Sequence, residues 1–156
     1  MSAAAKVSTC LWYDGGAEEA AAFYVSLLPD SGITEVIRPE PEGPALVVLF
    51  TLAGVPYQAL NGGPLYAFTP AASIAVTTSD QEETDRLWTA LVAGGGSEGH
   101  CGWLTDRFGL SWQIVPETLP RLLASPDRAA AERVQQAMLQ MGKIDIATLE
   151  MAHNTR

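Results

Sequence analysis

The sequence is poor in the residues that usually hold metals or staple small folds. It has only two cysteines, Cys10 and Cys101, and two histidines, His100 and His153. No C-x-x-C spacing occurs, so no thiolate zinc motif is present. Two widely separated cysteines also give no disulfide framework, and a reduced, cytoplasmic protein is expected. Positive charge is scarce as well: 9 Lys and Arg stand against 18 Asp and Glu, a formal net charge of −9. That balance disfavours nucleic acid and anionic membrane surfaces, which both require a basic face. No apolar run approaches the length of a membrane span. The stretch Met1 to Val7 lacks the apolar core of a signal peptide.

What remains is a chain of 156 residues, 47% of them apolar and only 17% charged. This is enough for one globular domain with a core. The chain reads as the same element order twice. Residues 8–13, "STCLWY", suit a strand, and Asp14-Gly15-Gly16 breaks it. Residues 17–28 place Ala20, Phe23, Tyr24 and Leu27 on one helix face before Pro29. "ITEVIRPEP", "PALVVLFTL" and "VPYQALN" follow as strands. In the second half, "SIAVTTS" is a strand. Ser79 and Glu82 form a capping box for a helix over 80–92. "AGGGSEGH" reads as a flexible loop, and "CGWLTDRF" and "GLSWQIVP" close the unit. A single domain over 1–156 is expected, with one βαβββ repeat at 8–61, a second at 70–116 and a helical extension at 117–156. In the extension, Ser125-Pro126 reads as a helix start, Gly142 as its C-cap and Asp145 as the cap of a last short helix.

Two strands carry a glutamine at the same phase, in "GVPYQALN" and "GLSWQIVP". Strand side chains alternate between faces. Leu110, Trp112 and Ile114 share one face, and Tyr57 and Ala59 lie on the equivalent face of the earlier strand. This bulky face is expected to meet the helices. Gln58 and Gln113 then look away from them. Each glutamine is either a buried amide bridging strands or part of a binding face. Trp12 and Trp103 are readable as core or as flat apolar walls, and Asn61 sits at the mouth of its strand. Cys101 and His100 lie where a loop enters a strand. Cys101 reads as an inert thiol, Asp106 as the cap of a turn before Gly109, and His153 as part of a fraying tail. The run Gly94-Gly95-Gly96 follows a helix rather than leading into one, so the mechanism of a phosphate cradle is missing.

The motifs "CLWYDGGAEEAAAFYVSLLPDS", "ALNGGP", "CGWLTDRFGLSWQIVP" and "QAMLQMGKIDIATLE" resemble the vicinal oxygen chelate superfamily, which includes glyoxalases and bleomycin-resistance proteins. Within it they resemble the PhnB-like, demethylubiquinone methyltransferase-like branch. The resemblance covers about residues 8–150. It implies an α+β fold with a cupped mixed sheet per repeat, a ligand cavity and a homodimer. In metal-using members, His or Glu residues from the first and last strands of each repeat hold a divalent ion. By motif phase those slots fall on Gln58, on Gln113, on Ser73 and near Val7 or Thr9. A neutral amide is a poor replacement for a carboxylate ligand. The expected function is therefore metal-free binding of a small molecule, with no cofactor, by Trp12, Gln58, Asn61, Cys101, Trp103 and Gln113. The alternative is an enzyme: a metal-dependent lyase or dioxygenase, or a methyltransferase. The last would require S-adenosylmethionine, for which no strand, glycine-rich turn and downstream acid is found. A third possibility is an interaction module working through the C-terminal helices.

Overall fold

The computed structural model describes residues 5–155. It forms two compact units that divide between Phe68 and Thr69, inside the turn-rich segment 61–70. The first unit holds β1 (Thr9–Tyr13), α1 (Ala17–Val25), β2 (Gly32–Ile37), β3 (Val47–Leu52) and β4 (Val55–Asn61). The second holds β5 (Ser73–Thr78), α2 (Gln81–Val92), β6 (Ser97–Glu98), β7 (Trp103–Thr105) and β8 (Ser111–Pro116). After them come α3 (Thr118–Leu123), α4 (Arg128–Met138) and α5 (Ile146–Asn154). Each unit has one four-stranded mixed sheet, in the orders β1-β4-β3-β2 and β5-β8-β7-β6. In both, the first strand lies parallel to the last and the remaining pairs are antiparallel. The α+β class and the βαβββ duplication are thus present in strand order and direction.

Alternation decides what each sheet buries. In the first unit Leu11, Tyr13, Val48, Phe50 and Ala59 are buried beneath α1. That helix turns Ala17, Ala20, Ala21 and Tyr24 inward. The small alanines let its backbone approach the sheet, and Tyr13 Oη donates to Tyr24 Oη at 3.1 Å. The helix ends at Val25 rather than at residue 28. Ser26 N and Leu27 N bond to the carbonyls three residues back, tightening the last turn ahead of Pro29. In the second unit Leu104, Trp112 and Ile114 meet Leu87, Trp88 and Leu91 of α2. Here the cap differs from the expected one. Asp80, not Ser79, accepts from Glu83 N at 2.8 Å, and Glu83, not Glu82, reaches back to Ser79. The glycine-rich loop also contains a short strand, β6, paired with β7.

Helix α1 has no side-chain cap of its own, because its N-cap is Gly16 in the left-handed region. Asn61, at the end of β4, supplies the missing acceptor: its Oδ1 accepts from Ala17 N at 2.9 Å. Its Nδ2 donates to Ala45 O at 2.8 Å. The Asn61→Ala variant is expected to lose about 1–2 kcal/mol of stability, the usual cost of losing a cap and orphaning its partners. Urea denaturation followed by circular dichroism checks this.

The C-terminal helices enclose an apolar cluster of Leu119, Leu122, Val134, Ile144 and Leu149, against which Val115 of β8 also packs. Helix α3 is an addition to the sequence reading. Helix α4 begins after Asp127, which caps it through Ala130 N, so Ser125-Pro126 lies in the α3–α4 connection. Leu139, not Gly142, is its C-cap. Gly142 instead accepts from Gly102 N through its carbonyl. Asp145 caps α5 as expected. His153 is held in the last turn of α5, with Nε2 at 3.0 Å from Ser125 Oγ, and is not part of a frayed tail.

Candidate functional site

The glutamines lie on the sheet faces turned away from the helices. In the first sheet Gln58 is in register with Cys10 and Leu49. Trp12 is in register with Leu60, which faces Val47. Alternation places all six on one face, and all remain partly or fully exposed. In the second sheet Gln113 lies between Ala75 and Trp103. Tyr57 belongs to the other face, stacked on buried Phe50 at 5.5 Å. Its partial burial pushes its hydroxyl above the usual tyrosine value.

Both glutamines do the same thing. Gln58 Nε2 donates to Ser8 Oγ at 3.2 Å. Gln113 Nε2 donates to Ser73 Oγ at 2.9 Å. In each repeat the serine lies two residues before the glutamine's cross-strand partner, Cys10 or Ala75. The equivalent of Ser73 in the first repeat is therefore Ser8. The slot expected at Val7 or Thr9 is corrected by one residue, a shift too small for sequence phase to resolve just ahead of the strand.

These donors do not fit a divalent metal ion. Hydroxyls and amides carry no charge, whereas zinc and its neighbours take imidazole, thiolate or carboxylate. Among the described residues no three His, Cys, Asp or Glu side chains are grouped as ligands.

The other predicted residues divide. Trp12 is pinned: its Nε1 donates to Gly63 O at 2.9 Å, and Tyr66 packs edge-on at 5.0 Å. Gly62 lies so close that a Cβ there would sit 2.3 Å from the indole, which explains the glycine. Trp103 is half-buried beside Gln113. Asn61 and Cys101 are engaged by the scaffold. Cys101 sits in the left-handed region at φ 56°, and its N donates to Met141 O at 2.8 Å. Its Sγ lies 3.6 Å from Met138 O. Cys10 is the exposed thiol, on the Gln58 face, and desolvation raises its pKa. This keeps it protonated and weakly nucleophilic. Gly94 and Gly95 adopt positive φ as the chain leaves α2 toward β6, a conformational role.

Two cavities are present among the described residues, and one adjoins these features. One of about 460 Å³ in the first unit is lined by Ser8, Thr34, Glu35, Leu49, Thr51 and Pro56. It therefore adjoins the serine of the Gln58 pair. Another of about 480 Å³ lies at the starts of α2 and α5 and includes Asp80 and Asp145. It contains none of the predicted site residues.

Known proteins share this architecture. Residues 5–115 match the family model described as 3-demethylubiquinone-9 3-methyltransferase. A Bacillus cereus protein described as a 3-demethylubiquinone-9 3-methyltransferase, PhnB protein, is 32% identical, with a TM-score of 0.66 over 72% of this chain and 99% of its own. Protein PA1353 of Pseudomonas aeruginosa is 21% identical, with a TM-score of 0.60 over 73% of this chain and 98% of its own. The fosfomycin resistance protein FosX of Listeria monocytogenes is 15% identical, with a TM-score of 0.56 over 79% of this chain and 99% of its own. The last two show the fold alone. No curated protein matches the sequence.

Proposed function

The chain belongs to the 3-demethylubiquinone-9 3-methyltransferase family, on the paired βαβββ fold of the vicinal oxygen chelate superfamily, and from that premise we propose that it is a metal-free binding protein for a small, partly apolar molecule. One observation carries the reading: the repeated Gln–Ser pair on the face of each sheet that the repeat's own helix leaves uncovered. A neutral amide and hydroxyl orient a ligand by hydrogen bonds, and Trp12 and Trp103 offer flat apolar surface beside them. A homodimer in the cytoplasm, without nucleic acid or membrane partners, completes the proposal. The acidic composition supports the lack of nucleic-acid partners, and among the described residues no helix is long and apolar enough to cross a membrane.

The family's name denotes methyl transfer, but the glycine run at 94–96 serves the exit from α2 and offers no nucleotide-binding turn. Native mass spectrometry of the purified chain is expected to show a non-covalent small-molecule adduct that is lost on unfolding. Calorimetric titration with S-adenosylmethionine is expected to give no heat of binding. Micromolar affinity for that compound, with no other adduct, would replace the binding reading with a methyltransferase.

A further inference from the structure

The chemistry of the Gln–Ser pairs narrows the ligand class, and this step rests on the binding reading above. Each pair uses one amide N–H and one hydroxyl lone pair internally. Left over are the glutamine carbonyl, an acceptor, and two donors, the second amide N–H and the serine hydroxyl proton. Turning the amide round, so that its carbonyl accepts from the hydroxyl, leaves both amide N–H donors and a hydroxyl lone pair as acceptor. Either way, at least one donor and one acceptor are offered side by side.

The second repeat is the clearer case. Around Gln113 the face turned away from α2 carries Ser73, Ala75, Thr77, Trp103, Thr105 and the buried Ser111, none of them charged, while Val115 at its far end is covered by the C-terminal cluster. The Trp103 indole N–H donates to no group among the described residues. An anionic ligand offers acceptors only, so it leaves the acceptor of the pair unmatched, and the chain's net charge of −9 repels it. A cationic ligand finds no carboxylate in this set to offset its desolvation. A carboxamide has a carbonyl and an N–H on one planar group, which satisfies both halves of the pair while an attached ring lies on the indole. We propose that the ligand is an uncharged, flat molecule bearing a carboxamide, read by Gln113 and Ser73 beside Trp103.

Three probes that differ only in the polar group test this: benzamide, benzoate and benzylammonium. They are titrated into the full chain and followed by ¹H–¹⁵N correlation spectra. Benzamide is expected to give saturable shifts of the Gln113 side-chain amide and the Trp103 indole resonance, with at least tenfold tighter binding than either charged probe. In Gln113→Leu the Trp103 shift should disappear while the spectrum keeps the dispersion of a folded chain. If that variant does not fold, Ser73→Ala serves instead, with benzamide binding expected to weaken at least threefold. Equal or tighter binding of benzoate or benzylammonium overturns the proposal, as does unchanged benzamide affinity in the variant. Silence from benzamide also overturns it. In that event a diverse fragment library separates the two levels of the account. Fragments of other chemistry moving these resonances would leave the binding reading standing, and none doing so would remove it too.

Discussion

The Asp106→Ala variant is expected to lose about 3–5 kcal/mol of stability, from three hydrogen bonds that end on one buried carboxylate. Oδ1 accepts from Phe108 N at 2.8 Å and Leu110 N at 3.0 Å, and Oδ2 accepts from the Trp112 indole at 2.9 Å. Asp106 is 2% exposed and Trp112 is 1% exposed, so water cannot replace the lost acceptor without opening the core. Alanine would remove the acceptor that the indole N–H and the Leu110 amide use inside the core, each at the cost of desolvating a polar group. Asp106→Asn separates charge from shape. It keeps one carbonyl but turns an amide NH₂ toward other donors, and an intermediate loss is expected. Denaturant midpoints at constant m-value measure both. A loss below about 1 kcal/mol for alanine would mean that the loop can re-form around the gap.

The second large effect concerns binding. Replacing Gln58 and Gln113 together with alanine is expected to weaken the co-purifying small molecule roughly tenfold, equivalent to the one glutamine hydrogen bond of about 1–1.5 kcal/mol that each unit's face offers. Neither side chain is fully buried, and among the described residues each bonds to a single serine near the start of the adjacent strand. The fold should therefore change little, by about 1 kcal/mol or less. That split between binding and stability is the point of the measurement. A glutamine that merely braced two strands would show the opposite, a shifted denaturation midpoint with affinity intact. Isothermal titration and urea denaturation on the same preparation read both quantities.

Much of the scaffold was legible because local and periodic signals agreed. Alternation in "SWQIVP" and "VPYQALN" put the bulky residues under the helices and the glutamines opposite. The Asp145 cap and the turn closed by Asp106 follow from short-range chemistry and stand as read. Errors clustered where two registers were equally good locally. Ser79 and Asp80 are adjacent cap formers, and Glu82 and Glu83 are adjacent partners, so sequence alone does not select Asp80 with Glu83. Ser125-Pro126 and Asp127 present the same choice. Long-range relations were out of reach. Nothing near Asn61 announces that its amide caps a helix 44 positions earlier. Similarly, Ser8 becomes the counterpart of Ser73 only once β1 is paired with β4. The glutamines were visible as a repeated phase, but their serine partners emerge only from strand register.

The most direct test of the account is elemental analysis of the full chain, purified without chelator and after exposure to zinc, nickel, manganese and iron. Neutral hydroxyl and amide donors at Ser8, Gln58, Ser73 and Gln113 predict far less than one equivalent of any of these metals per chain. One firmly held equivalent that is lost on replacing Gln58 and Gln113 would contradict it.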